Sequence, residues 1–185
     1  MIRLKVIFYR IFLFTFIVVS SLSVYSCKSG TNKIESELYS CIIETSAKKG
    51  NNLEQKLNEY EQLLINANVL ENATGQAYFN LYTTLAQGSK VAIPDYNPEF
   101  PEMFSFLGCY MKLIQTEGSS ETKFMKIWSA MLNANNSSNK THSKIIIEHL
   151  GPNEFGSPFY RMVSLISLYN FTKMGKSLPT QAQKS

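Results

Sequence analysis

Near its carboxyl terminus the chain reads SPFYRMVSLISLYNFTKMG, from Ser157 to Gly175. Ser157 and Pro158 are typical of an N-cap followed by a first helical position, and Gly175 is typical of a helix end. Between them, apolar residues fall on nearly every side of a helix with 3.6 residues per turn. Because a helix that is apolar all round is usually buried, this segment predicts a central helix with other helices packed around it.

The preceding sequence supplies helices that can pack around the central one. Leu38, Cys41, Ile42 and Thr45 have the i, i+3, i+4, i+7 spacing of one helix face, and Gly50 follows as a stop. The predicted helices before the central one cover about 35–49, 52–67, 71–87, 101–115 and 120–132. The inward residues predicted for the last two are Phe104, Leu107, Met111, Ile114, Phe124, Ile127, Trp128, Met131 and Leu132. The polar face predicted for the second comprises Glu54, Lys56, Asn58, Glu59 and Glu61.

The segment from Lys144 to Leu150 is ambiguous, because three consecutive isoleucines also suit a β-strand. A lone strand would have no partner in this chain, so we interpret the segment as a short helix ended by Gly151-Pro152. It follows an Asn/Ser-rich stretch, 133–141, that predicts a loop. The fold class expected is therefore all-α, a single domain of about six or seven helices over 35–178, arranged as a bundle or a helical-hairpin array. Residues 179–185 are expected to form a disordered tail.

The amino terminus has the pattern of an export signal. Arg3, Lys5 and Arg10 precede an apolar run over 11–19, and small and polar residues follow. The run is too short for a stable membrane-spanning helix, which needs roughly 20 apolar residues, so a cleaved signal over 1–26 is favoured over a permanent anchor. It ends in Val24-Tyr25-Ser26-Cys27, which resembles the lipobox of bacterial lipoproteins, with Tyr25 bulkier than is usual. An ordinary signal peptide with an incidental cysteine is the alternative.

The resemblance to bacterial lipoproteins implies lipidation of Cys27 after cleavage, which attaches the protein to a membrane. Several acyl chains hold a protein firmly, whereas one gives marginal binding. Residues 27–34 would then be the lipidated cysteine and a flexible tether. In enterobacterial members an Asp after the cysteine favours retention at the inner membrane. Lys28 stands there, so the expected location is the cell envelope, at the outer membrane and facing the periplasm.

The net charge of the mature chain argues against one class of partner, nucleic acid. Three basic residues precede Cys27 and all 14 acidic residues follow it, so the formal net charge falls from +4 to +1 after cleavage. With no basic excess, nucleic-acid binding is disfavoured.

Cys41 and Cys109 could pair in an oxidising compartment. The sequence cannot show that their side chains meet, and buried thiols are the alternative.

No motif for catalysis, cofactor binding or metal binding is present in the sequence. The two histidines, His142 and His149, have no ligand-like spacing to other donors. Asp95 is the only aspartate, and no nucleophile elbow or phosphate-binding glycine loop occurs. Cys109 and His149 could in principle act as a nucleophile and a base, but we expect Cys109 to be an inert buried thiol. We therefore expect no catalytic residue, no metal and no cofactor.

Tyr96 and Phe100 lie in a proline-containing loop and form a candidate interaction surface, since rigid aromatic side chains dominate binding hot spots. The favoured alternative is that they pack into the core and anchor a long loop. The leading functional hypothesis is a membrane-anchored, non-enzymatic helical module that binds a protein partner in the envelope, with an immunity-type inhibitor as a special case. The alternatives are an envelope enzyme and a carrier of lipid or another small ligand in a helical cavity.

Overall fold

A computed structural model describes residues 31–96, 100, 103–117, 122–134 and 138–176. All regular secondary structure in these ranges is helical, so the predicted all-α fold is confirmed. The helices are α1 (Thr31–Lys48), α2 (Leu53–Asn66), α3 (Gly75–Ala86), α4 (Met103–Glu117), α5 (Lys123–Asn133), α6 (Asn139–His149), α7 (Pro152–Phe155) and α8 (Pro158–Lys176). The one-turn helix α7 and the longer extent of α8, which continues past Gly175, were not expected.

The chain divides into two compact units, residues 1–33 and 34–185. Of the first unit, only Thr31–Lys33 are described. The predicted signal over 1–26, the lipidation candidate Cys27 and the predicted tail over 179–185 lie outside the described residues. Helix α1 begins at Thr31, four residues before its expected start and within the segment predicted to be a tether. None of the described helices combines the length and the apolar character needed to cross a membrane.

The predicted central helix is confirmed by the burial of α8. Every residue from Met162 to Tyr169 is buried, including two serines. The Ser164 hydroxyl donates to the Tyr160 carbonyl at 2.7 Å, so its polar group is satisfied inside the helix. At the start of α8 the Ser157 hydroxyl accepts from the Tyr160 N–H at 3.3 Å, the capping role predicted for it. Helices α2, α3 and α7 pack against α8.

Helix α3 starts later than expected, because the segment before it forms its own turn. Asn68 has a positive φ of 54°, and the Asn72 side chain accepts from the Thr74 N–H at 3.1 Å. Thr74 then caps α3 by accepting from the Ala77 N–H at 3.3 Å. The prediction of helix from residue 71 is therefore wrong, since these local hydrogen bonds compete with the helical ones.

The predicted inward faces of α4 and α5 are partly wrong. Among the α4 side chains that the structure describes, Phe106, Cys109 and Tyr110 are buried, whereas Met111 is 54% exposed. On α5, Phe124 and Ile127 are buried as predicted, whereas Leu132 is 66% exposed. The residues buried on α4 differ because Cys109 is bonded to α1 and the Phe106 and Tyr110 rings pack on Phe124. The side chain of Phe104 lies outside the described part of the structure.

The ambiguous isoleucine segment is helical, which confirms the predicted short helix. Helix α6 begins at Asn139 after Ser138, whose hydroxyl accepts from the Thr141 N–H at 3.4 Å. The loop predicted to extend to Thr141 therefore ends three residues earlier, because Ser138 acts as an N-cap. The last residue of α6 is His149, so the helix ends where Gly151-Pro152 predicted.

Candidate functional site

The two cysteines of the helical domain form a disulfide. Cys41 of α1 and Cys109 of α4 are bonded with their Cα atoms 5.9 Å apart, at a sequence separation of 68. Cys109 is buried, and its sulfur lies 3.8 Å from the Thr45 hydroxyl. In this state Cys109 carries no free thiol, so the arrangement of Cys109 with His149 as a nucleophile and a base does not exist.

Tyr96 and Phe100 are partly buried and pack against the core, as the anchoring interpretation expects. The Tyr96 ring stacks on Tyr60 with the ring centres 5.2 Å apart, and the Phe100 ring meets Tyr169 edge to face at 5.0 Å. The Tyr96 hydroxyl donates to a carboxylate oxygen of Glu59 at 3.0 Å. These contacts attach the proline-containing segment to α2 and α8, and they leave less of either ring for a partner.

The structure contains a buried ionic site that the sequence analysis did not predict. Glu61 of α2 is 4% exposed, and Arg161 of α8 reaches both of its carboxylate oxygens, each at 2.6 Å. The Tyr78 hydroxyl donates to Glu61 at 2.6 Å. Burial and the bond to Glu61 raise the pKa of Tyr78. The site joins α2, α3 and α8 through one carboxylate, and bidentate pairing of this kind is strong and directional.

A second buried carboxylate belongs to α1. Glu35 is 6% exposed, and the Tyr160 hydroxyl donates to it at 2.7 Å. Burial raises the pKa of Glu35 above its usual value of 4.5, and the bond from Tyr160 offsets only part of that effect. Lys123 of α5 and Glu154 of α7 are close enough to act on Glu35 electrostatically and are themselves ion-paired. This second group therefore brings α1, α5, α7 and α8 together.

Residues 160 and 161 of α8 each bind one of the buried carboxylates. We refer to Glu35, Glu61, Tyr160 and Arg161 together as the buried acid pair site. A carboxyl group with a raised pKa resembles a general acid, but a substrate would need access to it. Since both carboxylates are almost fully covered and hydrogen-bonded to the protein, their geometry suits the holding of helices in place rather than proton transfer to a ligand.

The prediction that Glu61 lies on the polar face of α2 is wrong, although its spacing indicates burial. Glu61 lies four residues after Leu57 and three before Leu64, so it belongs to the buried stripe and not to the polar face assigned to it. Arg161 gave a similar signal, as a cation within the apolar central helix. The pairing of the two could not be predicted, because it depends on how α2 and α8 approach each other.

The two histidines have separate surroundings. His142 stacks on Phe171 with the ring centres 5.8 Å apart, and burial lowers its pKa. The Nδ1 atom of His149 lies 2.9 Å from the Ile145 carbonyl oxygen. Across the described residues, no three side chains of His, Cys, Asp or Glu lie close enough together to hold a metal ion.

Comparisons with known proteins do not assign the chain to a family. No protein-family model, no curated protein and no solved structure matches it.

Proposed function

We propose that the protein is a lipoprotein of the bacterial cell envelope, anchored through Cys27, whose helical domain binds a protein partner and has no catalytic role of its own. The lipobox-like sequence Val24-Tyr25-Ser26-Cys27 is the basis for the anchor. The location favoured by Lys28 is the outer membrane, with the domain facing the periplasm.

The observation that carries the proposal is the disulfide between Cys41 and Cys109. Disulfides form and persist outside the reducing cytoplasm, in compartments such as the periplasm. The signal-like amino terminus and the disulfide are independent features of the chain, and both favour export. A cysteine pair in a cytoplasmic protein would have no comparable reason to be oxidised.

The buried acid pair site supports a binding role over an enzymatic one. Glu35 and Glu61 are the acidic residues with the most complete burial among the described residues, and both are hydrogen-bonded to α8. Cys109 is oxidised. The side chains best suited to acid–base or nucleophilic chemistry therefore have structural partners, which leaves the outer surfaces of the helices for recognition.

The anchor is tested by intact mass spectrometry and membrane fractionation of the full chain beside a Cys27→Ala variant. We expect the parent to begin at Cys27, to carry acyl mass and to sediment with membranes, and the variant to lose the acyl mass. A Cys41→Ala, Cys109→Ala double variant is the matched control, because it removes two cysteines and should remain acylated. An uncut parent, or one cut without lipid, would contradict the proposal.

The binding role is tested by photo-crosslinking in cells, with the reactive side chain placed one position at a time on exposed residues. Suitable positions on different helices are Asn58, Thr84, Gln115 and Lys144. A bound partner should give cross-links from one face and none from the others. If every position remains free of cross-links, or all react alike, specific protein binding is not supported.

A further inference from the structure

Helix α5 carries a second apolar stripe in addition to the one that it buries. Phe124 and Ile127 face the core, while Met125, Trp128 and Leu132 follow a neighbouring flank at i, i+3 and i+7. We call these three residues the α5 outer stripe. Met125 packs partly against the core and the Trp128 ring stacks on Phe124. Leu132 is 66% exposed, so it supplies most of the apolar area that the stripe leaves for a partner outside the domain.

The composition of α5 indicates the chemistry of that partner. Its eleven residues, KFMKIWSAMLN, combine tryptophan, methionine and leucine with no acidic residue, and the first lysine, Lys123, is paired with Glu154. Helices that lie in the surface of a bilayer turn tryptophan and aliphatic residues towards the lipid. Tryptophan is enriched at the boundary between lipid and water because its ring is apolar with one polar N–H group.

The start of α5 lies near Glu35 of α1. Lys123, the first residue of α5, binds Glu154 and acts electrostatically on Glu35, one residue into the unit that begins at Ile34. Helix α1 begins at Thr31, so three residues separate it from Cys27, and even a fully extended chain covers that distance in at most about 14 Å. A lipid on Cys27 would therefore keep this end of the domain close to the bilayer. Because α5 is about 16 Å long, its whole outer stripe is within reach of the surface.

We propose that the α5 outer stripe contacts the surface of the membrane in which Cys27 is anchored, with Trp128 and Leu132 at the level of the lipid headgroups. The inference rests on the proposed function, because the lipid anchor is what brings α5 to the membrane. It adds that the domain lies against the membrane in one orientation, which leaves its other faces for a protein partner.

Trp128 is the only tryptophan of the chain, so its fluorescence reports on α5 without any label. The full acylated chain is reconstituted into vesicles of phosphatidylethanolamine and phosphatidylglycerol, with and without phospholipid brominated near the glycerol. We expect the brominated lipid to quench Trp128. In a Leu132→Ser variant we expect the population in contact with lipid to fall about tenfold, since burial of one leucine side chain changes an equilibrium by roughly that factor.

Two controls make the result decisive. Met111→Ser removes another exposed apolar side chain, from α4, and should leave the quenching unchanged. Circular dichroism checks that both variants keep the helical content of the parent. An acylated chain whose Trp128 is not quenched, or equal losses from Leu132→Ser and Met111→Ser, would overturn the orientation and leave the anchor intact. A chain without acyl mass would overturn the anchor and the orientation together.

Discussion

Arg161 of α8 binds both carboxylate oxygens of Glu61 in α2, with its Nη2 atom 2.6 Å from each. The carboxylate is nearly buried, while the Arg161 side chain is 31% exposed. Because an isolated charge is costly to bury, Glu61 depends on Arg161 more than Arg161 depends on Glu61. Removal of the Arg161 charge alone should therefore destabilise the fold more than removal of both the Arg161 and the Glu61 charges.

We expect Arg161→Met to lower the free energy of unfolding by roughly 2–4 kcal/mol, since it leaves the Glu61 charge buried without a cation. Addition of Glu61→Gln to the same chain should recover most of that loss, because the uncompensated charge is then gone. Urea denaturation at neutral pH measures both. The exposed pair of Lys144 and Glu148, 4.0 Å apart, is the control, and Lys144→Met should cost less than about 0.5 kcal/mol. A double variant no more stable than Arg161→Met would contradict the explanation.

Gly75 allows the start of α3 to lie directly on the backbone of α7. A Cβ atom at this position would overlap the Pro152 carbonyl oxygen and would lie 2.6 Å from the Gly156 nitrogen. Backbone atoms cannot move aside as side chains do, so we expect Gly75→Ala to destabilise the fold by about 2–3 kcal/mol. Gly108→Ala is the matched control, because nothing lies within 4 Å of a Cβ there and alanine is the better helix former by up to about 1 kcal/mol. Thermal unfolding that shifts equally in both variants would refute this interpretation of Gly75.

The Cys41–Cys109 disulfide should contribute about 4 kcal/mol to stability, because it closes a long loop and restricts the unfolded chain. The test compares the denaturation midpoint of the parent, the parent with a reductant, and the Cys41→Ala, Cys109→Ala double variant. The last two should have similar midpoints, well below that of the oxidised parent. Intact mass after alkylation, with and without prior reduction, tests whether Cys41 and Cys109 are oxidised in the protein as isolated from cells. Free thiols in that sample would contradict the predicted bond.

Glu35 should make stability depend on pH in an unusual direction. Burial raises its pKa in the folded protein above the value of 4.5, so the folded state holds a proton that the unfolded state has lost. Stability from this group is full below pH 4.5 and is lost as the pH rises through the folded pKa. We expect Glu35→Gln, which can still accept from Tyr160, to gain stability relative to the parent as the pH rises from about 4 to 7. Urea denaturation across that range measures the difference, with exposed Glu71→Gln as the control. A difference that stays constant with pH would show that Glu35 does not titrate as proposed.

The helices were predictable because their signals are local. The Ser157-Pro158 start and the apolar circumference of the last helix predict the start and the burial of α8, and Gly151-Pro152 predicts the end of α6. Boundaries failed where a side chain outside the periodic pattern forms its own hydrogen bonds, as Asn72 and Thr74 do before α3. The spacing of hydrophobic residues gives no information about such competing hydrogen bonds.

The site was less predictable because its geometry is not local. Helix α4 has two apolar flanks, and periodicity alone gave no reason to prefer the one with Phe106 and Tyr110 over the one with Met111. The bond from Cys109 to α1 settles that choice, and the sequence left open whether the bond exists. The buried acid pair site depends on the packing of α1, α2 and α8. Spacing indicates that Glu61 is buried, but only the assembled helices show that Arg161 is its partner.

The disulfide also determines how the protein would respond to tension. If the molecule is pulled by its two ends, force that enters α1 passes at Cys41 through the sulfur atoms directly to α4. Helices α2 and α3, which lie between the two cysteines in sequence, then bear no load, and about 230 Å of chain cannot extend. Oxidised protein would therefore lengthen far less than reduced protein under the same force. Reduction of the disulfide would allow the segment between the two cysteines to extend.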